Sequence, residues 1–146
     1  MDAAWPASQG EAIHTSTFLG HPVGCAMALA QMKEIQKRKL PGAARATGRW
    51  LLRQLSNLKP PSKRWRFAAR GLGLMAGLEI RRADGSPATH ECLTLIKRLL
   101  HRGFVFLPEG EHANVISFTP PLTITRRDLQ RLLRALGKTL AEELVP

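Results

Sequence analysis

The feature that most constrains the fold of this chain is the strict alternation between Gly71 and Ile80. Leu72, Leu74, Ala76, Leu78 and Ile80 share one parity, while Gly71, Gly73, Met75, Gly77 and Glu79 share the other. Successive side chains of an extended strand point to opposite faces, so the pattern predicts a strand with one face buried. Glycines on the second face let another backbone approach closely, or permit a bend. A strand buried on one face needs a covering layer, and the flanking sequence has the period to build one.

Before the alternating run the apolar spacing is helical. Met1 to Gly20 has no sustained period and reads as an extended loop. Pro22 suits a first helical turn, and Val23, Ala26, Met27, Ala30 and Ile35 predict a helix reaching Lys37. Pro41 restarts the pattern: Ala44, Thr47, Gly48, Leu51, Leu52, Leu55 and Leu58 form an apolar stripe opposite Arg45, Arg49 and Arg53. Lys59-Pro60-Pro61-Ser62 ends this second helix, because proline cannot continue it.

After the alternating run, Leu93, Ile96, Leu99 and Leu100 predict a third helix closed by Gly103. Phe104 to Leu107 and Asn114 to Thr119 read as two antiparallel strands around Pro108-Glu109-Gly110. Thr125 with Asp128 resembles a capping box, opening a last helix along Leu129, Leu132, Leu133, Leu136, Leu140 and Leu144. The expected fold class is α+β, with helices on one face of a mainly antiparallel sheet.

The chain has 146 residues, enough for one ordinary core. Its net charge of +11 is concentrated: 12 basic residues and one acid, Glu34, lie between Lys33 and Arg70, while the remainder carries 10 of each sign. Solvated helix faces are the commoner source of such a run. The competing reading is a basic α+β module binding nucleic acid or another polyanion through residues 33–70. Cys25 and Cys92 lack zinc or disulfide spacing and are expected to be reduced and buried. His21, His90, His101 and His112 show no ligand spacing, so no metal site is expected. Trp5, Trp50 and Trp65 are expected in core packing more than at interfaces. No apolar run is long enough to span a membrane and Met1 to Gly10 lacks a signal-peptide layout, so the expected location is cytoplasmic.

Three segments carry a family resemblance. They are Gly10-Glu11-Ala12-Ile13-His14-Thr15-Ser16-Thr17-Phe18-Leu19-Gly20-His21-Pro22-Val23-Gly24-Cys25-Ala26, then Arg70-Gly71-Leu72-Gly73-Leu74-Met75-Ala76-Gly77-Leu78-Glu79, then Asn114-Val115-Ile116-Ser117-Phe118-Thr119-Pro120-Pro121-Leu122-Thr123-Ile124. In order and spacing they resemble the C-terminal portion of class III, fold-type I aminotransferases that depend on pyridoxal 5'-phosphate.

The resemblance implies a division into a loop segment from the cofactor and dimer-interface region (1–21), interdomain helices (22–58) and a C-terminal α+β domain (59–146). It implies a homodimer that moves an amino group between an amine or amino acid and an oxo acid; an aminomutase or racemase on the same scaffold is the alternative. It places Thr17 at the position that reaches the cofactor phosphate of the neighbouring subunit, with Ser16 second and His14 a neighbour. Hydroxyls suit a phosphate, although the same cluster satisfies loop backbone groups equally well.

Ser117 stands where relatives acting on α-amino acids carry a carboxylate-binding arginine. A serine supplies no such charge, so either the substrate lacks a carboxylate there, another group binds it, or the function has drifted. The family's Schiff-base lysine lies upstream of the matching region, and no lysine here sits in a matching motif. The expectations are therefore that no residue of this chain is the covalent catalyst, that the chain alone is inactive, and that Met1 is an internal methionine of a longer ancestor or belongs to a truncated reading frame.

Overall fold

A computed structural model describes residues 20–144, and they divide between two compact units, with the boundary between Arg38 and Lys39. The first unit contributes one described element, α1 (Pro22–Lys37). Its start follows from Pro22 in the first turn and from His21, whose Nδ1 accepts a hydrogen bond from the Gly24 N–H at 3.3 Å. No residue of α1 is buried. Cys25 is exposed there, which corrects the expectation of two buried thiols: its stretch of small apolar residues has the composition of a core but not its burial.

The second unit runs α2 (Leu40–Ser56), β1 (Trp65–Leu72), β2 (Met75–Arg82), α3 (Thr89–His101), β3 (Leu107–Glu109), β4 (Val115–Phe118) and α4 (Arg126–Glu143). Its sheet is fully antiparallel in the order β1-β2-β4-β3, so β1 and β3 form its borders. The expected α+β class with an antiparallel sheet is what the chain adopts.

Gly71 to Glu79 is not one strand. Leu72 pairs with Met75 across a two-residue turn, in which Gly73 takes φ +58° as its first central residue. The turn reverses parity. Phe67 and Ala69 face the core from β1, and Ala76, Leu78 and Ile80 face it from β2, while Leu72 points outward at 82% exposure. The first of the last two strands is also displaced: pairing starts at Leu107 and runs through Pro108, because a border strand tolerates a missing N–H.

The three helices of this unit cover one face of the sheet. Leu51 and Leu55 from α2, Cys92, Leu95 and Leu99 from α3, and Leu129, Leu136 and Leu140 from α4 close over Leu78, Ile80, Ile116 and Phe118. Burying each such side chain is worth about 1.5–3 kcal/mol. Phe106 meets Phe118 edge to face at 5.0 Å between centroids. Burial pushes the Cys92 thiol up to about 11.

Backbone contacts fix where the helices sit. A Cβ on Gly48 would lie 1.8 Å from the Gly73 carbonyl oxygen, so α2 rests directly on the hairpin turn. Gly103, at φ +82°, closes α3. Thr125 caps α4 by accepting from the Asp128 N–H at 3.1 Å, but Asp128 bonds the Thr125 hydroxyl and not its backbone N–H. Asp is shorter than the usual Glu, and only half of the expected box forms. At the other end of α4, the Trp65 indole donates to the Leu144 carbonyl at 3.1 Å.

Candidate functional site

Of the residues singled out from sequence, Trp5, His14, Ser16 and Thr17 lie outside the described residues, as does nearly all of the expected loop from Met1 to Gly20. Ser117 is described. It lies on β4, on the sheet face opposite the helices, where its neighbours follow from the register. Gly77 is its partner on β2 and Leu107 its partner on β3, and Arg70 lies beyond Gly77 on β1. This row therefore reads Arg70, Gly77, Ser117, Leu107.

Gly77 brings no side chain to the row, and one could be added only by displacing Val115, whose Cγ1 would lie 2.8 Å from the new Cβ. Leu107 is 62% exposed beside Ser117. The closest cation along the row is Arg70, and it is engaged: its Nη1 donates to Glu79 Oε2 at 2.5 Å. Arg81 donates to the other oxygen of Glu79 at 2.8 Å, and the Asn114 amide reaches the same oxygen at 3.4 Å. Burial raises the Glu79 carboxyl, but these three hydrogen bonds outweigh it and hold the group below its ordinary range.

Beside this row, β3, β4 and the segment leading to α4 enclose a cleft of about 390 Å³, lined by Phe106, Phe118, Pro120, Ile124 and other apolar groups. Ser117 and Thr119 are its two hydroxyl-bearing residues. A second cleft of about 310 Å³ lies at the hairpin tip, between Leu72, Met75 and Leu122. Thr119 and Pro120 line both and separate them. Such surroundings can hold an apolar group and direct one or two hydrogen bonds to it.

They do not supply a covalent catalyst. Lys33, Lys37, Lys39, Lys59, Lys63, Lys97 and Lys138 are every lysine in the sequence, and each is exposed. A lysine that condenses with a carbonyl must lose its proton near neutral pH, which calls for a desolvated or cation-flanked pocket. The described residues hold no group of three His, Cys, Asp or Glu side chains able to bind a metal, and no helix among them is long and apolar enough to cross a membrane.

The profile described as aminotransferase class-III matches residues 1–140. The chain belongs to that family. The putrescine aminotransferase of Pectobacterium atrosepticum is 33% identical over 84% of this chain, but only 25% of its own length is covered. The 2-aminoadipate transaminase of Pseudomonas putida is 31% identical over 86% of this chain and 30% of its own. Among solved structures, a phospholyase from Arthrobacter in complex with phosphoethanolamine superposes with a TM-score of 0.80 at 30% identity, over 92% of this chain and 32% of that one. This class-III chain thus spans about a quarter to a third of the length of these relatives.

Sequence reasoning found Ser117 but not its setting. Arg70, Glu79 and Leu107 become its surroundings only through strand pairing, and the pairing was hidden by the missed hairpin. One signal was present. The apolar parity is odd through Trp65, Phe67 and Ala69 and even through Ala76, Leu78 and Ile80, and such a switch marks a turn.

Proposed function

We propose that this chain contributes the non-covalent half of a pyridoxal 5'-phosphate-dependent aminotransferase site and does not catalyse transamination by itself. Membership of the family supports the reaction class, amino-group transfer between an amine or amino acid and an oxo acid. The exposure of every lysine is the observation that carries the second part. The cofactor would supply the electron sink for the chemistry. The residues present fit only its phosphate end, through the hydroxyls of Thr17 and Ser16, and no catalytic step is assigned to them.

In the homodimer implied by the family, Thr17 would serve the neighbouring subunit's phosphate, with Ser16 beside it. Ser117 would face the substrate. Its neighbours Gly77 and Leu107 carry no charge, and Arg70, two strands away, is held on Glu79, which favours a substrate without a carboxylate at this position. An amine fits that surface better than an α-amino acid, whose carboxylate would lose water there without gaining a cation.

The test is to titrate pyridoxal phosphate into the purified chain, reduce with borohydride and locate adducts by peptide mass spectrometry. Scattered low-level labelling of surface lysines is the expected result. Stoichiometric trapping at one lysine, with a visible absorbance band before reduction, overturns the reading.

A further inference from the structure

The dense basic run of the sequence does not form one patch. Arg66 and Arg70 lie on β1, whereas Arg49 and Arg53 lie on α2 among the helices. There they are joined by residues from a distant part of the chain. The Arg126 guanidinium on α4 sits 5.4 Å from the centre of the Trp50 ring, and Trp50, Gln54, Gln130 and Arg134 line a groove of about 450 Å³ between the two helices. Arg49 and Arg53 edge an adjoining depression with Ser56 and Asn57.

What distinguishes this surface is that its uncompensated arginines are grouped around a groove. Arg70, Arg81, Arg82, Arg98 and Arg102 each have a carboxylate within 4.0 Å; among the described residues Arg49, Arg53, Arg126, Arg127 and Arg134 have none, and neither do Arg45, Arg64, Arg66 and Arg131 elsewhere. Helix α2 contains no acidic residue. The acids of α4 are placed at its ends: Asp128 bonds Thr125, Glu142 pairs with Arg102, and Glu143 pairs with Arg98.

We propose that the adjoining outer faces of α2 and α4 bind the phosphodiester backbone of nucleic acid, with Arg49, Arg53, Arg126, Arg127 and Arg134 contacting phosphates. Guanidinium groups pair bidentately with phosphate oxygens, and the amides of Gln54 and Gln130 add neutral donors in the groove. Two other polyanionic partners fit less well. A membrane-binding helix needs an apolar face, yet none of the exposed large hydrophobic residues lies on α2 or α4. A protein interface needs an apolar core, whereas here the leucines of the two depressions, Leu52 and Leu133, are half-buried and the one aromatic ring at the groove is covered by Arg126. The surface is remote in kind from the Ser117 row and does not depend on the proposed function.

The test is fluorescence anisotropy of the full chain with a labelled single-stranded oligonucleotide of about 20 residues. With roughly five phosphates neutralised, affinity is expected to fall about 100-fold between ~50 and ~200 mM salt. Arg49→Glu with Arg53→Glu is expected to weaken binding at least tenfold and to lower the salt slope by about 1.4. Lys63→Glu with Arg66→Glu, an equal charge change beside and on β1, is expected to cost no more than about threefold. Circular dichroism confirms that each variant is folded. Equal losses in the two variants, a flat salt dependence, or tighter binding to phosphatidylserine vesicles than to the oligonucleotide would overturn the proposal.

Discussion

The two faces of the single sheet are built by the same strands and obey different rules. On the helix side, Leu78, Ile80 and Ile116 are fully buried, and each is fixed by the volume it fills. On the other side packing is mixed: Gly77 and Val115 are buried, but Met75 is 68% exposed and a carboxylate is shared by two arginines. Side-chain volume specifies the fold on the first face. Looser packing away from Gly77 and Val115 lets the second face carry charge and border a cleft.

Four substitutions test that division. Leu78→Ala, at the centre of the buried face, is expected to cost about 3 kcal/mol in urea denaturation, from lost transfer energy plus the cavity left behind. Gly48→Ala is expected to cost about 2 kcal/mol, because the added methyl must displace the hairpin turn from α2. A loss near zero for either would mean that the covered face is loosely packed.

Glu79→Gln removes the shared carboxylate on the other face and is expected to cost about 1 kcal/mol near neutral pH. Because the native carboxyl titrates below its ordinary 4.5, its stabilisation is present above about pH 4.5 and is lost as pH falls through the lower native value. The acid limb of a stability profile should therefore be flatter in the variant, and an unchanged limb would remove Glu79 from the account. Leu107→Ser is expected to change stability by no more than about 0.5 kcal/mol despite deleting a large apolar side chain. A larger loss would show that the open face is also part of the core.

The same division explains what could be read from the sequence. Helices were legible because Leu51 and Leu55, or Leu129, Leu136 and Leu140, repeat at the spacing of one buried stripe. The hairpin is hidden in the sequence because Leu72 and Leu74 prolong the alternation of β2 into the turn, although Leu72 is outside and Leu74 inside. Pro108 reads as a turn residue in the sequence because its role as a border-strand residue depends on which strand lies beside it. The charged side of Ser117's surroundings was illegible for the same reason. Arg70 and Glu79 are nine positions apart in sequence and meet only through cross-strand register.

The two borders of the sheet bear on how the molecule behaves when concentrated. β3 has only three residues, and Pro108 removes one of their N–H donors. β1 is eight residues long, but Arg66 and Arg70 place like charges along it, so two copies aligned there would bring guanidinium groups together. Neither border is a template for strand addition. Cross-β stacking through either border of this sheet is therefore disfavoured while the unit is folded.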